Sequence, residues 1–290
     1  MSKTKLLWLT SIACNGNAHS FLNYPQLETF LDNFEFIYHP MLNSDYTLED
    51  IISKVIPCDI LLIEGAISSE YKKHNEPIIN IINKYASIVK KIVTVGTCAT
   101  FGGIFRQSGY AYTTGLHFDQ ENPTFLFSNL KDKTISVSGC PIQPEALANV
   151  LFSIKNELII SLDKYNRPNE YFAYTIHNGC TRNEYFEYKV DNHNFGDKEG
   201  CMFYDHGCAA PFTNGSCNKI LWNETNSKTR NGEPCHGCTN PNFPTINLFR
   251  TKKNMGIPQE LPLGVGKRVY LTLAGITKAF KIKRLEEDLF

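Results

Sequence analysis

Residues 91–103 have the sequence KIVTVGTCATFGG, in which an apolar strand runs directly into a glycine, a cysteine and two more glycines. Two other predicted strands, at residues 5–12 and at Thr134–Val137, are also followed closely by a cysteine, Cys14 or Cys140. Strands with uninterrupted apolar runs are typical of a parallel sheet that is covered on both faces. Because ligands bind beyond the carboxyl ends of such strands, we expect Cys14, Cys98 and Cys140 to converge at one edge of the sheet.

Helical patterns separate these strands. Apolar residues recur at helix spacing between Phe21 and Phe34, which predicts one helix there. The remaining predictions are strands at Phe36–Tyr38 and Asp59–Ile63, the second followed by Glu64 and Gly65, and helices at Leu48–Val55, Ile78–Val89 and Pro144–Ile154. The alternation of strands and helices predicts an α/β fold with a parallel sheet.

The composition changes near residues 163–170, which include Pro168. Beyond this point Asn, Gly, Pro and Cys become frequent and the periodic patterns thin out. We therefore expect two domains, residues 1–165 and residues 166–290. The second has too little apolar periodicity for a core of its own, and a metal cluster can replace one because the free energy of ligation becomes free energy of folding.

The second half of the chain concentrates the thiols. Between residues 177 and 238 lie six of the ten cysteines and one histidine placed three residues before the first of them, namely His177, Cys180, Cys201, Cys208, Cys217, Cys235 and Cys238. Thiolates in such numbers select zinc or the iron of iron–sulfur clusters. Cys235 and Cys238 form a C-x-x-C pair that suits a zinc knuckle. The other cysteines are spaced singly and not in pairs, which fits two iron–sulfur clusters better than one zinc site. Spacing alone does not decide between zinc and iron.

Charge and hydropathy exclude several classes of protein. The formal net charge is zero, so no polybasic surface predicts nucleic acid or acidic lipid as a partner. The first residues hold a short apolar run that Thr10 and Ser11 interrupt, which favours a buried strand over an export signal. No apolar stretch approaches the ~18–20 residues of a membrane span. We expect a cytoplasmic protein, where clustered cysteines usually bind metal.

Several short motifs together resemble the small, electron-transferring subunit of nickel–iron hydrogenases, over nearly the whole chain. They are Trp8 through Gly16, Glu64-Gly65, GTCATFGGI at 96–104, SGCPIQP at 138–144, HNGC at 177–180, Cys208 with Pro211, the Cys217 loop, PCHGC at 234–238 and PNFP at 241–244. The C-terminal stretch at 255–280 resembles the cytoplasmic uptake and hydrogen-sensing branch, group 2.

The resemblance implies a flavodoxin-like N-terminal domain and an irregular, iron–sulfur-cluster-rich C-terminal domain. It implies three clusters that carry electrons from hydrogen oxidation at a NiFe centre in a partner large subunit to an external acceptor. That acceptor, a protein or a quinone-linked chain, is left open. The expected assembly is a heterodimer or a higher oligomer of heterodimers, in the cytoplasm or peripheral on the cytoplasmic face of the membrane.

The resemblance also assigns ligands to each cluster. The proximal cluster would use Cys14, Cys98 and Cys140; the medial cluster Cys217, Cys235 and Cys238; and the distal 4Fe-4S cluster His177, Cys180, Cys201 and Cys208. The fourth medial position falls at Lys228, a poor iron ligand, so a 3Fe-4S cluster is expected there. The alternative is a four-iron cluster that another nearby residue completes. A neutral imidazole in place of a thiolate should raise the potential of the distal cluster.

The proximal site departs from the family pattern C-x-G-C, since this chain has Cys14-Asn15-Gly16-Asn17. Either the cluster loses an iron and is 3Fe-4S, or another donor completes a 4Fe-4S cluster. Asn17 and His19 are the nearest candidates for that fourth ligand. Glu64 is a candidate proton relay, or else a carboxylate that binds backbone amides at the strand end.

Two alternative functions remain. In the first, the chain is the subunit of a hydrogen-sensing regulatory hydrogenase, which should turn over slowly and bind a regulatory protein. In the second, it is a zinc-stabilised interaction module without redox chemistry. Cys58 has no role in either scheme and is expected to be a small buried apolar residue, while His236 is expected to tune a cluster by hydrogen bonding.

Overall fold

The computed structural model describes residues 2–116, 118–119, 122–123 and 125–245, together with residues 269 and 272–273. Apart from those last three positions, the C-terminal stretch 255–280, which resembles the group 2 branch, lies outside the described residues. The described chain forms two compact units. The first combines Met1–Ala173 with Cys238–Pro244, and the second contains Tyr174–Gly237. The boundaries expected from sequence place residues 238–244 in the second domain, whereas the structure places Cys238–Pro244 in the first unit. This segment is called the returning segment below.

The first unit is built on a five-stranded parallel sheet. Its strands are β1 (Thr4–Thr10), β2 (Phe34–Tyr38), β3 (Ile60–Glu64), β4 (Lys91–Val95) and β5 (Thr134–Val137). They are hydrogen-bonded in the order β2-β1-β3-β4-β5. This is the strand order of flavodoxin-like sheets, so the predicted flavodoxin-like α/β fold is confirmed.

Helices and short turns connect the strands. The helices are α1 (Gly16–Leu22), α2 (Leu27–Asn33), α3 (Leu48–Ser53), α4 (Ile78–Ala86), α5 (Gly96–Phe101), α6 (Gly103–Gln107), α7 (Pro144–Lys155) and α8 (Asn169–Phe172). There are 3-10 turns at Tyr110–Tyr112 and Phe125–Lys133, and short hairpins pair Lys72–Lys73 with Glu76–Pro77 and Phe118–Asp119 with Asn122–Pro123.

The prediction of one helix over Phe21–Phe34 is wrong, because α1 and α2 are separate helices with a break between them. Pro25 lies in the break. Proline lacks a backbone N–H and disfavours helical backbone at the residue before it, here Tyr24. The first of the two helices begins at Gly16, only two residues after Cys14.

The core lies on both faces of the sheet. Every residue of β3 is buried, as expected for a strand covered on both sides. On one face Leu61 and Ile63 pack in a cluster that includes Ile82 of α4. On the other face the fully buried Trp8 ring contacts the ring of Phe21, with 5.7 Å between centroids. The uninterrupted apolar runs of these strands thus supply side chains to the core on both faces of the sheet.

Four strands end side by side at the carboxyl edge of the sheet. Thr10 pairs with Glu64, Glu64 with Val95, and Val95 with Val137. The loops that follow these four residues include the three that carry the N-terminal cysteines. Those cysteine loops therefore leave the sheet at the same level.

The second unit contains little regular structure in its described part. Its elements are the helices α9 (Asn183–Tyr188) and α10 (Phe203–His206) and 3-10 turns at Ile176–Gly179 and Ala210–Phe212. Its small core consists of Ile176, Met202, Cys208, Ala210 and Cys235, with Cys217 packed against them. Cysteines thus make up a large part of this core, so its stability depends on what the sulfurs bind.

Across the described residues, none of the helices combines the length and the apolar character that crossing a membrane requires.

Candidate functional site

The first candidate site lies beyond the carboxyl edge of the sheet. Cys14 and Cys140 are exposed there, while Cys98 is half-buried at the start of α5. Burial, together with the nearby sulfurs of Cys140 and Cys14, raises the pKa of the Cys98 thiol to about 12. The structure therefore brings together the three cysteines expected to hold the proximal cluster.

Glycines leave room around two of these sulfurs. A Cβ atom on Gly103 would lie 2.6 Å from Cys98 Sγ, and one on Gly16 would lie 3.2 Å from Cys14 Sγ. The φ of Gly103 is +51°, a value that glycine adopts without strain. The backbone amide of Gly16 also points to Cys14 Sγ at 3.4 Å. Space and an amide donor beside a sulfur are features that suit an iron–sulfur ligand.

Asn17, a candidate for the fourth proximal ligand, is buried and hydrogen-bonded through both ends of its side-chain amide. Its nitrogen donates to Glu64 Oε1 at 3.2 Å and to the carbonyl of Val95 at 3.4 Å. Its oxygen accepts from the backbone amide of Ile142 at 2.9 Å. The side chain of His19, the other candidate, is exposed. Either residue as a ligand stays a prediction.

Glu64 is fully buried at the end of β3. Its carboxylate accepts from Trp8 Nε1 at 2.9 Å and from the backbone amide of Asn17 at 3.0 Å, in addition to the Asn17 side chain. Lys73 lies close enough to interact with this charge, although burial is the larger effect and lowers the pKa of Lys73 to about 8. Glu64 therefore organises the loop that follows Cys14, and a proton-relay role stays a prediction.

Thr97 connects the loops of the first unit at the same edge. Its hydroxyl donates to the carbonyl of Cys238 and accepts from the amide of Gly139 at 3.0 Å. The buried Arg167 donates to the carbonyl of Thr239 at 2.8 Å. These bonds anchor the returning segment next to the loops of the proximal cysteines. Sequence reasoning missed Thr97 and Arg167, because neither has a spacing that marks it.

The second candidate site is a cavity in the second unit. It has an empty volume of about 300 Å³, its open mouth included, and its lining includes the four predicted distal ligands, His177, Cys180, Cys201 and Cys208. Burial raises the pKa of Cys201 to about 12 and that of Cys208 to about 11, and the sulfur of Cys180 adds to both effects. Uncharged thiols are favoured here unless a cation balances the thiolates, which ligated iron does.

The neutral form of His177 is favoured in this cavity. Burial is the main cause that lowers the pKa of its imidazole. Its ring meets the ring of Phe186 edge to face, with 4.6 Å between centroids. A neutral imidazole is the form that binds a metal, so the environment of His177 suits the predicted ligand role.

Arg182 is a buried arginine in the lining of the cavity. Its guanidinium donates to the carbonyls of Thr229 at 2.6 Å, Glu199 at 2.9 Å and Gly200 at 2.8 Å, and also to that of Asp197. It thus fixes the segment that leads into Cys201. Its backbone amide points to Cys180 Sγ at 3.4 Å. The sequence offered one cue, an arginine two residues after a predicted ligand, and that cue was missed.

The predicted medial ligands are divided between the two units. Cys217 and Cys235 belong to the second unit, and Cys238 is the first residue of the returning segment in the first. The amide of Gly237 points to Cys235 Sγ at 3.4 Å. Lys228, at the position of a missing fourth ligand, is exposed.

The Lys228 ammonium lies 3.2 Å from His236 Nδ1. Burial and then this ammonium lower the pKa of His236.

The remaining candidates have ordinary surroundings. Cys58 is half-buried against the main core, and burial is the larger cause that raises its pKa to about 12. His193, which is exposed, has its Nδ1 atom 2.7 Å from Asp205 Oδ2. None of the ten cysteines, all within the described residues, forms a disulfide.

The four predicted distal ligands surround one cavity. In an iron–sulfur cluster each protein ligand binds a different iron, so ligands placed around a cavity suit a cluster.

Two family models match the chain. The model for the C-terminal part of the NiFe/NiFeSe hydrogenase small subunit matches residues 172–250. The model described as NADH ubiquinone oxidoreductase, 20 Kd subunit, matches residues 14–154. The first range contains the predicted distal and medial ligands, and the second contains the predicted proximal ligands.

Two relatives and one solved structure extend this similarity. The chain is 29% identical to the periplasmic NiFe hydrogenase small subunit 1 of Nitratidesulfovibrio vulgaris, over 83% of this chain and 80% of the relative. It is 28% identical to the F420 non-reducing hydrogenase II small subunit of Methanosarcina mazei, over 88% and 78%. The actinobacterial-type NiFe-hydrogenase of Ralstonia eutropha H16 shares the fold, with a TM-score of 0.73 and 21% identity over 96% of this chain and 91% of that one.

Proposed function

We propose that this chain, which belongs to the small-subunit family of NiFe hydrogenases, carries electrons from hydrogen oxidation in a large subunit through three iron–sulfur clusters to an external acceptor. The chain is part of a heteromeric hydrogenase, an oxidoreductase acting on hydrogen, and its partner is the large subunit. The observation that carries the proposal is the distal cavity, whose lining contains one histidine and three cysteines in the predicted combination.

In this proposal each ligand set has its own task. Cys14, Cys98 and Cys140 hold the proximal cluster, which receives electrons from the large subunit. The medial 3Fe-4S cluster is held by Cys217, Cys235 and Cys238, and the distal 4Fe-4S cluster by His177, Cys180, Cys201 and Cys208. When bound, the clusters supply one-electron transfer.

The protein contributes charge and hydrogen bonds. Neutral His177 and the guanidinium of Arg182 both favour the reduced, more negative state of the distal cluster. Backbone amides directed at Cys180 Sγ and Cys208 Sγ act in the same direction, because each donor stabilises negative charge on sulfur. The amide directed at Cys235 Sγ has the same effect on the medial cluster. A distal cluster that is easily reduced draws electrons towards the exit from the chain.

The group 2 branch and a cytoplasmic location are also part of the proposal. They rest on the sequence, since the two relatives described above include a periplasmic subunit. A hydrogen-sensing role uses the same ligands, and no described residue favours it. A purified complex with turnover rates of ordinary enzymes, ~1–10³ s⁻¹, supports uptake over sensing.

The test separates hydrogen activation from electron delivery. The complex with the large subunit is purified with Cys208→Ser in this chain, and two activities are measured. Hydrogen–deuterium exchange needs only the partner's metal centre and is expected to persist. Hydrogen-driven reduction of a redox dye needs the distal cluster and is expected to fall at least about tenfold, the effect of ~1.4 kcal/mol on a barrier.

Cys58→Ser provides the matched control, because it makes the same chemical change at a cysteine in the core of the first unit. Both activities are expected to persist in this variant. Dye reduction at the wild-type rate by the Cys208→Ser complex contradicts the proposal. A wild-type complex that contains zinc and no iron in this chain supports the structural module instead.

A further inference from the structure

Asn17 replaces the fourth cysteine of the proximal pattern, and its amide bonds to three separate parts of the first unit. The nitrogen donates to Glu64, the last residue of β3, and to the Val95 carbonyl that ends β4. The oxygen accepts from Ile142, two residues beyond Cys140. Asn17 itself lies three residues beyond Cys14. One side chain therefore connects the loops of all three proximal cysteines.

The packing around Asn17 is close. The residue is 7% exposed. A Cβ atom on Gly96 would collide with its side-chain amide, so glycine at 96 is what lets the Cys98 loop approach Asn17. The φ of Gly96 is +90°, which also favours glycine. The Cys98 loop is thus shaped to accept the Asn17 side chain.

The hydrogen bonds of Asn17 leave its nitrogen no capacity for iron. An amide nitrogen offers two N–H donors and no acceptor, and both donors have partners in Glu64 and Val95. Rotating the amide so that its oxygen binds a metal would break the bond from Ile142. It would also leave Glu64, which is fully buried, with one donor fewer, and a buried acceptor without its donor is unfavourable.

We infer that Asn17 is a positioning residue that holds the three proximal cysteine loops together, and that it is not an iron ligand. The inference rests on the proposed function, because it concerns the cluster that these cysteines hold. The chain then supplies three thiolates to the proximal cluster. The replacement of the fourth thiolate removes one negative charge and adds three hydrogen bonds within the scaffold.

The position of the Glu64 carboxylate is set by a further hydrogen bond, from Trp8. Trp8 Nε1 holds one carboxylate oxygen at 2.9 Å, which leaves the other oxygen directed at Asn17. A carboxylate at position 17 would face that oxygen at about the 3.2 Å now spanned by the amide. Two buried carboxylates so close repel each other. An aspartate is nevertheless a better iron ligand than an amide, so Asn17→Asp separates the two roles.

The experiment measures the electron paramagnetic resonance of the complex as isolated and after reduction, and its iron content, for the wild type and three variants. Asn17→Asp is expected to lose the proximal signal while the medial and distal signals persist. Asn17→Asp combined with Glu64→Gln restores a hydrogen bond between the side chains at positions 17 and 64, although the Val95 carbonyl and the backbone amide of residue 17 lose their partners. It is therefore expected to regain part of the proximal signal. Glu64→Gln alone is expected to shift that signal, because the new amide either presents a donor to the Asn17 nitrogen or gives up its bond to Trp8.

Asn23→Asp is the matched control, because it makes the same change at an exposed residue at the end of the same helix. It is expected to leave all three signals unchanged. An Asn17→Asp complex that keeps the proximal signal at full intensity overturns the inference, because the hydrogen bonds of Asn17 are then not needed to position the three cysteines. The inference is also overturned if Glu64→Gln leaves the proximal signal unchanged. This second variant keeps the test informative if the Asn17→Asp chain fails to fold. A wild-type complex without any iron–sulfur signal overturns the proposed function instead.

Discussion

The backbone amide of Cys235 donates a hydrogen bond to the Sγ atom of Cys208 over 3.2 Å. Both residues are buried in the small core of the second unit. In the proposed assignment Cys235 holds the medial cluster and Cys208 the distal one. In this assignment one hydrogen bond links a ligand of the medial cluster to a ligand of the distal cluster. It stabilises negative charge on Cys208 Sγ, and therefore on the distal cluster, to which the electrons move.

The ligand role of His177 predicts the effect of a thiolate in its place. His177→Cys adds a negative charge to the distal cluster, so we expect its reduction potential to fall on the order of 100 mV, as comparisons of histidine and cysteine ligation suggest. A redox titration followed by electron paramagnetic resonance measures this shift. His193→Cys, at an exposed histidine of the same unit, is the control and should leave the potential unchanged. An unmoved distal potential in His177→Cys removes the histidine from the ligand set.

Arg182 is expected to affect both stability and potential. Arg182→Met removes a guanidinium that donates to four buried or part-buried backbone carbonyls, and each acceptor left without a donor costs about 1–3 kcal/mol. We expect a lower thermal unfolding temperature and a lower distal potential. Arg182→Lys keeps the charge but not the fork-like geometry, so it should restore the potential more than the stability.

The exposed Arg230 offers the control for these variants, because Arg230→Met removes the same charge from the surface of the same unit. It should change neither quantity. If Arg182→Met unfolds at the wild-type temperature, then the carbonyls that Arg182 binds do not depend on it.

The assignment of the medial cluster can be tested by adding a fourth ligand to it. Lys228→Cys places a thiolate where the family pattern would have its fourth medial ligand, so a 3Fe-4S cluster should become a 4Fe-4S cluster with a lower potential. The oxidised three-iron signal should disappear and the iron content should rise. Lys219→Cys adds a thiol at another exposed lysine of the second unit and should leave the three-iron signal intact. A three-iron signal that survives in Lys228→Cys argues against this position.

Acid should destabilise the first unit through His39. Burial lowers the pKa of His39 to about 4 from the ordinary 6.5, and the ring packs against Trp8 and Phe36 at 4.9 Å between centroids. Between these two values the unfolded chain binds a proton that the folded chain does not. Stability is therefore fully present above about pH 6.5 and falls as the pH drops towards 4, by up to ~3 kcal/mol.

This pH effect is measured as the unfolding temperature of the complex across that range. His39→Gln keeps an acceptor for the Met41 amide but does not titrate, so it should lose less stability in acid than the wild type. His74→Gln, at an exposed histidine, should behave as the wild type does. Equal acid sensitivity in His39→Gln and the wild type would assign the effect to other groups.

The sequence predicts the sheet well because its signals are local. The strands at Lys91–Val95 and Thr134–Val137 have the predicted bounds, since each is an apolar run that ends at a glycine or serine loop. The resemblance to the hydrogenase small subunit, which rests on short local motifs, named the four residues that line the distal cavity. The helix break at Pro25 was missed because the apolar periodicity continues through it, although proline itself was a sufficient signal.

The supporting residues of the sites could not be found in the same way. Arg182 bonds to carbonyls at 197–200 and 229, and Asn17 bonds to residues far along the chain, so their roles depend on tertiary contacts. Backbone carbonyls carry no sequence signature. The return of Cys238–Pro244 to the first unit has the same origin, because the Thr97 hydroxyl and the Arg167 guanidinium that anchor it are separated from it by many residues.

The most direct measurement is quantitative electron paramagnetic resonance with iron and zinc analysis on the purified complex, as isolated and after reduction by hydrogen. An electron-carrying protein with three clusters should contain iron and little zinc. It should show an oxidised three-iron signal from the medial site, and it should gain signals of reduced clusters under hydrogen. Zinc in place of iron, with no signal in either state, would contradict the account that this chain carries electrons.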